Sequence, residues 1–282
     1  MQDFDHLSAS IHRGCCVLER TGLRLITADN LSAEPAIAHG FSTRLGGVSP
    51  APYDSLNMSL TRDDEKANVR RNYRIFCEAF GLDHSSLVLV NHEHGANVVR
   101  VDSRDRGRGL EREALPFCDG LITDDPKVTL VTLHADCSCV YLYDAEHKAI
   151  GLAHAGWKGT FKRVAQRLAE RMGECFASRP EKLLAAIGPC ICFDCFEVDA
   201  AIGEDFAREF DFAGIQKIGK PGKAYVDIEA ALLIQLLDAG LRAENISAMH
   251  LCTFERSDLF FSYRRDKTMT GAMIGFLKLN NG

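Results

Sequence analysis

The stretch VTLHADCSCVYLYDAEHKAIGLAHAGWKG, residues 131 to 159, sets His134, Cys137 and His154 around an apolar, strand-like middle. A thiolate is a soft ligand and an imidazole a borderline one, so cysteine and histidine that meet in space suit zinc. The same pair suits nucleophilic catalysis, with the histidine drawing off the thiol proton. Residue types alone do not separate the two chemistries.

Whether the pair meets depends on register. A hairpin that sets Asp144 opposite His147, across an Ala145-Glu146 turn, also sets Cys137 opposite His154. Directly opposed Cβ atoms lie roughly 4.5–5.5 Å apart, within reach of one ion. Ala-Glu specifies no tight turn type, so this register is an expectation. A third ligand would come from NHEHG at 91 to 95, which offers His92, Glu93 and His94. Three ligands with an open fourth position suit catalytic zinc. The plainer reading is a core hairpin with hydrogen-bonded histidines and an inert thiol.

A second cluster, CICFDC, holds Cys190, Cys192 and Cys195, and Cys252 could lie near it. Three thiols could bind zinc or an iron–sulfur cluster. The spacing lacks a clear partner pair downstream, so buried, unreactive thiols are expected here. The chain has 11 cysteines, an odd number, and its acidic, polar start does not read as a signal peptide. Free thiols in a reducing, cytoplasmic compartment are expected.

Other chemistries lack their motifs. The phosphate-loop patterns G-x-G-x-x-G and G-x-x-x-x-G-K-[ST] are absent, as are G-x-S-x-G and H-E-x-x-H. A net charge of −6 gives no electrostatic reason to bind nucleic acid or an anionic membrane. No apolar run approaches the roughly 18 residues of a membrane span.

The elements that must position these residues read as a mixture of helix and strand. Val69, Tyr73, Phe76 and Phe80 recur at helical spacing, with Gly81 as the stop. Residues 87–90, 97–102, 127–133, 139–143, 148–153 and 183–188 read as strands. Phe161, Val164, Leu168, Met172 and Cys175 share one face of a single helix after GWKG, whose start would lie beside the site. Helical patterns return at 199–210 and 227–240, and 247–277 reads as two or three strands. Several strands adjacent in sequence imply an α+β layered fold rather than a doubly wound parallel sheet. No repeat or linker divides the 282 residues, so one domain is expected.

The segments AHGFSTRLGGVSPAPYDSLNMS, EHGANVV, CDGLITDDP, HADC, AIGLAHAGWKGT, AIGPCICFDCFEV and LFFSYRRDKTMTG, spread from about residue 37 onward, resemble the laccase-domain or polyphenol-oxidase-like family of the YfiH type, also called peptidoglycan editing factors. The resemblance implies a four-layer α/β/β/α sandwich in one domain, with residues 1–36 the least matched. It implies a His-Cys-His metal site, here His94, Cys137 and His154, described as zinc and sometimes as copper. Three positions depart from the commonest pattern: His92 stands where many members have Gln, His134 where many have Thr, and Ala272 where Arg is frequent.

The family carries three claimed activities. A four-copper laccase needs several His-x-His pairs, and this chain has His92-x-His94 among only 10 histidines. Weak phenol oxidation with copper stays open, since copper outcompetes zinc at such ligands. Purine nucleoside phosphorolysis, with adenosine deamination, suits the implied site and is the leading expectation. Arg44, in FSTRLGG, is then the expected phosphate holder, with Gly46 and Gly47 allowing close approach. Asp136, beside Cys137, is expected as a general acid/base or an orienting residue, and His134 likewise. Hydrolytic editing of peptidoglycan precursors and a non-catalytic metal-binding module remain as alternatives. The module predicts a closed site with four ligands.

Overall fold

A computed structural model describes residues 12–280. Its frame is two stacked sheets. One has seven strands, ordered His12–Arg13, Ile246–Ala248, Leu184–Ile187, Ser138–Asp144, Ala149–Ala155, Gly120–Thr123, Val98–Arg100. The other has six, ordered Cys15–Arg20, Leu23–Ala28, Ile37–Ser42, Met273–Leu279, Thr129–His134, Leu87–Leu89. A small antiparallel sheet of Glu197–Asp199, Lys223–Val226 and Gln216–Ile218 sits beside them.

Strand periodicity explains why both faces of the central strands are buried. In Ser138–Asp144, Val140 and Leu142 face the helices Val164–Phe176 and Ile228–Asp238, whereas Cys139, Tyr141 and Tyr143 face the second sheet. The space between the sheets is filled by Phe41, Leu130, Tyr141, Ile150 and Leu152, among others. The outer face of the six-stranded sheet is covered by helix Lys66–Phe80, whose Val69, Tyr73 and Phe76 meet Leu25, Val131 and Phe276. The order helix, sheet, sheet, helix is the expected four-layer α/β/β/α sandwich.

Two expectations are corrected. The hairpin register is displaced by two residues: Asp144 pairs with Ala149, and His154 with Cys139. The loop is 145–148, because the Asp144 carboxylate accepts from the backbone of Glu146 and His147, and Lys148 takes a left-handed φ of 49°. The helix after GWKG is two helices, Trp157–Phe161 and Val164–Phe176. Arg163 breaks it at φ 61°, its guanidinium held by Glu209 and Asp238. The segment 247–277 has two strands, within the expected two or three, Ile246–Ala248 and Met273–Leu279, with helix Tyr263–Asp266 between. There Arg265 donates to the carbonyls of Thr253, Phe254 and Phe260, satisfying backbone that a strand would otherwise pair.

One buried histidine far from any candidate ligand makes the fold pH-sensitive. His39, 6% exposed, accepts a hydrogen bond at Nε2 from the Ala28 amide, which requires the neutral ring. Burial pushes it down from 6.5 to about 4. In that window the unfolded chain binds the proton and the folded one does not, so stability is full above pH 6.5 and falls as pH drops toward 4. The ceiling is roughly 3 kcal/mol. Urea unfolding of His39→Gln should show a shallower loss of stability between neutral and acid pH than the parent; parallel slopes would refute this.

Candidate metal centre

The site lies where the two stacked sheets open. In Ala149–Ala155, His154 has the parity of Ile150 and Leu152 and so points between the sheets. In Thr129–His134, His134 has the parity of Leu130 and points the same way from the opposite sheet. Their ring centroids lie 5.6 Å apart. The loop of Ala135, Asp136 and Cys137 crosses between the sheets at this end. Cys137 therefore reaches His154 from one step beyond the paired register, not from directly opposite.

The turn 92–95 supplies the rest. Nitrogens of His92, His94 and His154 all lie within 4.8 Å of one another. The Cys137 thiol is in hydrogen-bonding contact with both His154 and His94. A Cβ built on Gly156 would sit 2.9 Å from His94 Cδ2 and 3.0 Å from Cys137 Sγ. Only glycine leaves room for these side chains to converge.

Asp119, which the sequence reading did not single out, organises the cluster. It is fully buried. Its Oδ1 accepts from the His94 amide at 3.0 Å and its Oδ2 from the Gly95 amide at 2.7 Å. Its Oδ1 also lies 3.2 Å from His154 Nδ1, and its carbonyl accepts from the His154 amide at 2.7 Å. A ligating histidine that gives its other ring N–H to a carboxylate is the usual support of a metal site. The detectable signal was a carboxylate in the apolar run FCDGLIT, where an unpaired charge would be costly.

The electrostatics agree. Burial pushes the Cys137 thiol up, but the neighbouring His154 and His94 bring it down to about 7. Burial pushes His154 down, but Cys137 and Asp119 raise it to about 9. Burial and the neighbouring imidazoles of His154 and His94 hold His92 down at about 3. The donor set, one near-thiolate sulfur and converging imidazole nitrogens, fits zinc, and equally copper.

The other expected residues fall out differently. His134 is fully engaged: Nε2 lies 2.7 Å from Thr132 Oγ1 and Nδ1 3.1 Å from the Cys137 carbonyl. It fixes the loop that carries Cys137. Asp136, at φ 89°, accepts from Thr253 Oγ1 at 2.7 Å and from the Arg264 amide at 2.6 Å. Both oxygens are occupied, which makes it a positioning residue. Arg44 does not reach the site. It donates to the Asp54 carbonyl, pairs with the Asp54 carboxylate at 3.3 Å and lies 4.6 Å over the Phe261 ring. The loop it ties down needs these bonds, so the expected phosphate role is corrected.

The cluster lies on the floor of a cavity of about 920 Å³. Arg62, Lys223, Arg264 and Lys267 line it, with Trp157, Phe196 and Tyr263. Ala272 lines it too, where a family arginine would add another cation. Ile191 reaches this cavity, whereas Cys190 lines a separate one of about 330 Å³.

Residues 38–280 match the family described as multi-copper polyphenol oxidoreductase laccase. A Bacillus subtilis (strain 168) protein named purine nucleoside phosphorylase YlmD is 36% identical over 242 residues, covering 84% of this chain and 87% of its own. A purine nucleoside phosphorylase of Deinococcus radiodurans is 37% identical over 254 residues, covering 89% and 91%. The crystal structure of YlmD from Geobacillus stearothermophilus matches with a TM-score of 0.88 at 31% identity, covering 94% of this chain and 98% of that one. That of Bacillus licheniformis YfiH gives a TM-score of 0.85, also at 31% identity, covering 93% and 98%.

The crowding at Gly156 can be tested alone. Gly156→Ala should stay folded and lose at least about tenfold in metal affinity, the scale seen when ligand support is disturbed. Chelator competition measures this; an unchanged affinity would show that the ligands do not need the space.

Proposed function

The chain belongs to the family described as multi-copper polyphenol oxidoreductase laccase, and from that premise we propose that it is a zinc-dependent purine nucleoside phosphorylase with adenosine deaminase activity. Its substrates are adenosine, inosine, guanosine and methylthioadenosine, with phosphate. The observation that carries the reading is the convergence of His94, Cys137 and His154 beneath a cavity walled by cations and aromatic rings. The names of the similar proteins point the same way.

Phosphorolysis joins a phosphate oxygen to C1′ of the ribose and breaks the bond from C1′ to the purine nitrogen. The protein must hold an anion, hold a flat base and face an electron-poor sugar. Arg264 has one N–H on the Glu197 carbonyl at 2.7 Å and its remaining guanidinium donors available for phosphate. Arg62, whose guanidinium lies 5.7 Å over the Tyr263 ring, is the second cation. Trp157, Phe196 and Tyr263 offer faces for the purine. His94, Cys137 and His154 would hold the ion, and a bound zinc would supply Lewis acidity and make water a nucleophile near neutral pH. His92, kept neutral by burial, has a nitrogen close to those of His94 and His154 and is assigned no obligate place among the ligands.

The site is not enclosed like a purely structural centre, because all four side chains line the cavity. Among the described residues only two groups have metal-ligand spacing, and only one contains imidazoles. A trinuclear copper cluster has no ligand set there. Copper in place of zinc would leave weak phenol oxidation as a side reaction. No helix among the described residues is long and apolar enough to cross a membrane, and a cytoplasmic location is part of the proposal.

The test incubates zinc-loaded protein with adenosine, with and without phosphate, and resolves adenine, inosine, hypoxanthine and ribose phosphate. Adenine with ribose phosphate should appear only with phosphate, and inosine in both conditions. Cys137→Ala should lose both activities. Release of an amino acid from a peptidoglycan precursor, with no purine product, would contradict the proposal.

Two further variants assign roles. Arg264→Ala should raise the phosphate KM about tenfold or more, the worth of a charge-assisted hydrogen bond, with nucleoside binding kept. His92→Gln should keep the zinc content of the parent, whereas His94→Ala should lose it. Loss of zinc from both would make His92 a ligand.

A further inference from the structure

The cysteines passed over as inert form a second cluster. Cys192 and Cys195 come from one loop and Cys252 from another, and their three Sγ atoms lie within 4.8 Å of one another. The signal was half visible: C-x-x-C at 192–195 is a ligand spacing, but its partner lies 57 residues beyond Cys195. Backbone pairing closes that distance. The Cys190 amide donates to the Leu251 carbonyl at 3.2 Å and the Thr253 amide to the Cys190 carbonyl at 3.0 Å.

The local geometry is that of a binding loop. The amides of Cys195 and Phe196 both donate to the Cys192 carbonyl at 3.0 Å, folding the two cysteines onto one side. The Cys192 amide donates to Cys252 Sγ at 3.4 Å, so the backbone of one loop is tied to the thiol of the other. An oxygen donor is at hand, with Glu255 Oε1 at 3.7 Å from Cys195 Sγ. All three cysteines are free.

We propose that Cys192, Cys195 and Cys252, with the Glu255 carboxylate as fourth donor, form a second metal site for a thiophilic d10 cation, zinc. Uptake of Zn2+ forms three Zn–S bonds and one Zn–O bond and releases three thiol protons to solvent. Four protein donors leave no open position, so the site is structural. It ties the loop bearing Ile191 and Phe196, which line the large cavity, to the loop bearing Thr253. Thr253 donates to Asp136, and the Ile191 amide donates to the Asp136 carbonyl at 3.0 Å. The second ion thereby braces the wall behind the loop that carries Cys137.

The experiment counts metal on the full, reduced chain by native mass spectrometry after zinc loading and desalting. The parent should carry two zinc ions per chain, Cys192→Ser/Cys195→Ser one, and His94→Ala/Cys137→Ala one. Cobalt provides a readout that does not depend on the serine variant folding. His94→Ala/Cys137→Ala has no thiolate left at the first site, so its Co2+ form should still show a strong near-ultraviolet sulfur-to-cobalt charge-transfer band. One zinc ion on the parent, or no such band in the cobalt form, would overturn the proposal.

Discussion

Asp119 is the constraint on which the site depends. A carboxylate with no exposure to water is stable only if its charge is answered at close range. Here the answers are the His94 and Gly95 amides and the His154 ring, and the carbonyl of the same residue fixes the His154 backbone. One residue at the start of strand Gly120–Thr123 thus sets both the turn carrying His94 and the orientation of His154. The same contacts that answer the buried carboxylate fix the candidate ligands in place.

The sandwich supplies the rest by parity. Two sheets packed face to face bury every second residue of their inner strands. At the open end this places His154 and His134 opposite each other, where layers of Leu, Ile and Phe give way to polar contacts. The segments 135–137, 190–196 and 250–272, irregular apart from helix Tyr263–Asp266, wall that end. Loops on a rigid scaffold are where binding residues are expected, and here these segments carry Phe196, Tyr263, Arg264 and Lys267 of the cavity.

Much of this was legible in the sequence, and the failures have physical causes. The apolar alternation of 139–143 and 148–153 marked the central strands, and the spacing of Val69, Tyr73 and Phe76 marked the covering helix. The hairpin register slipped by two because Asp144 builds its own turn. A two-residue slip keeps every side chain on its face, so Cys137 still reached His154; a one-residue slip would have separated them. Arg44 and Asp136 have the right chemistry for catalysis, but their hydrogen-bonding capacity is taken up by loops. Asp119 was missed because it joins segments far apart in the chain, and local pattern carries no information about such pairs.

The account stands or falls on whether the buried carboxylate organises the metal site. The direct measurement is the zinc dissociation constant of Asp119→Asn beside the parent, by competition with a chromophoric chelator. The account predicts a folded protein with affinity weakened about 10–100-fold, the usual cost of removing such a support. It also predicts that nucleoside turnover falls with zinc occupancy and recovers when zinc is added in excess. A folded Asp119→Asn protein that binds zinc as tightly as the parent would contradict it.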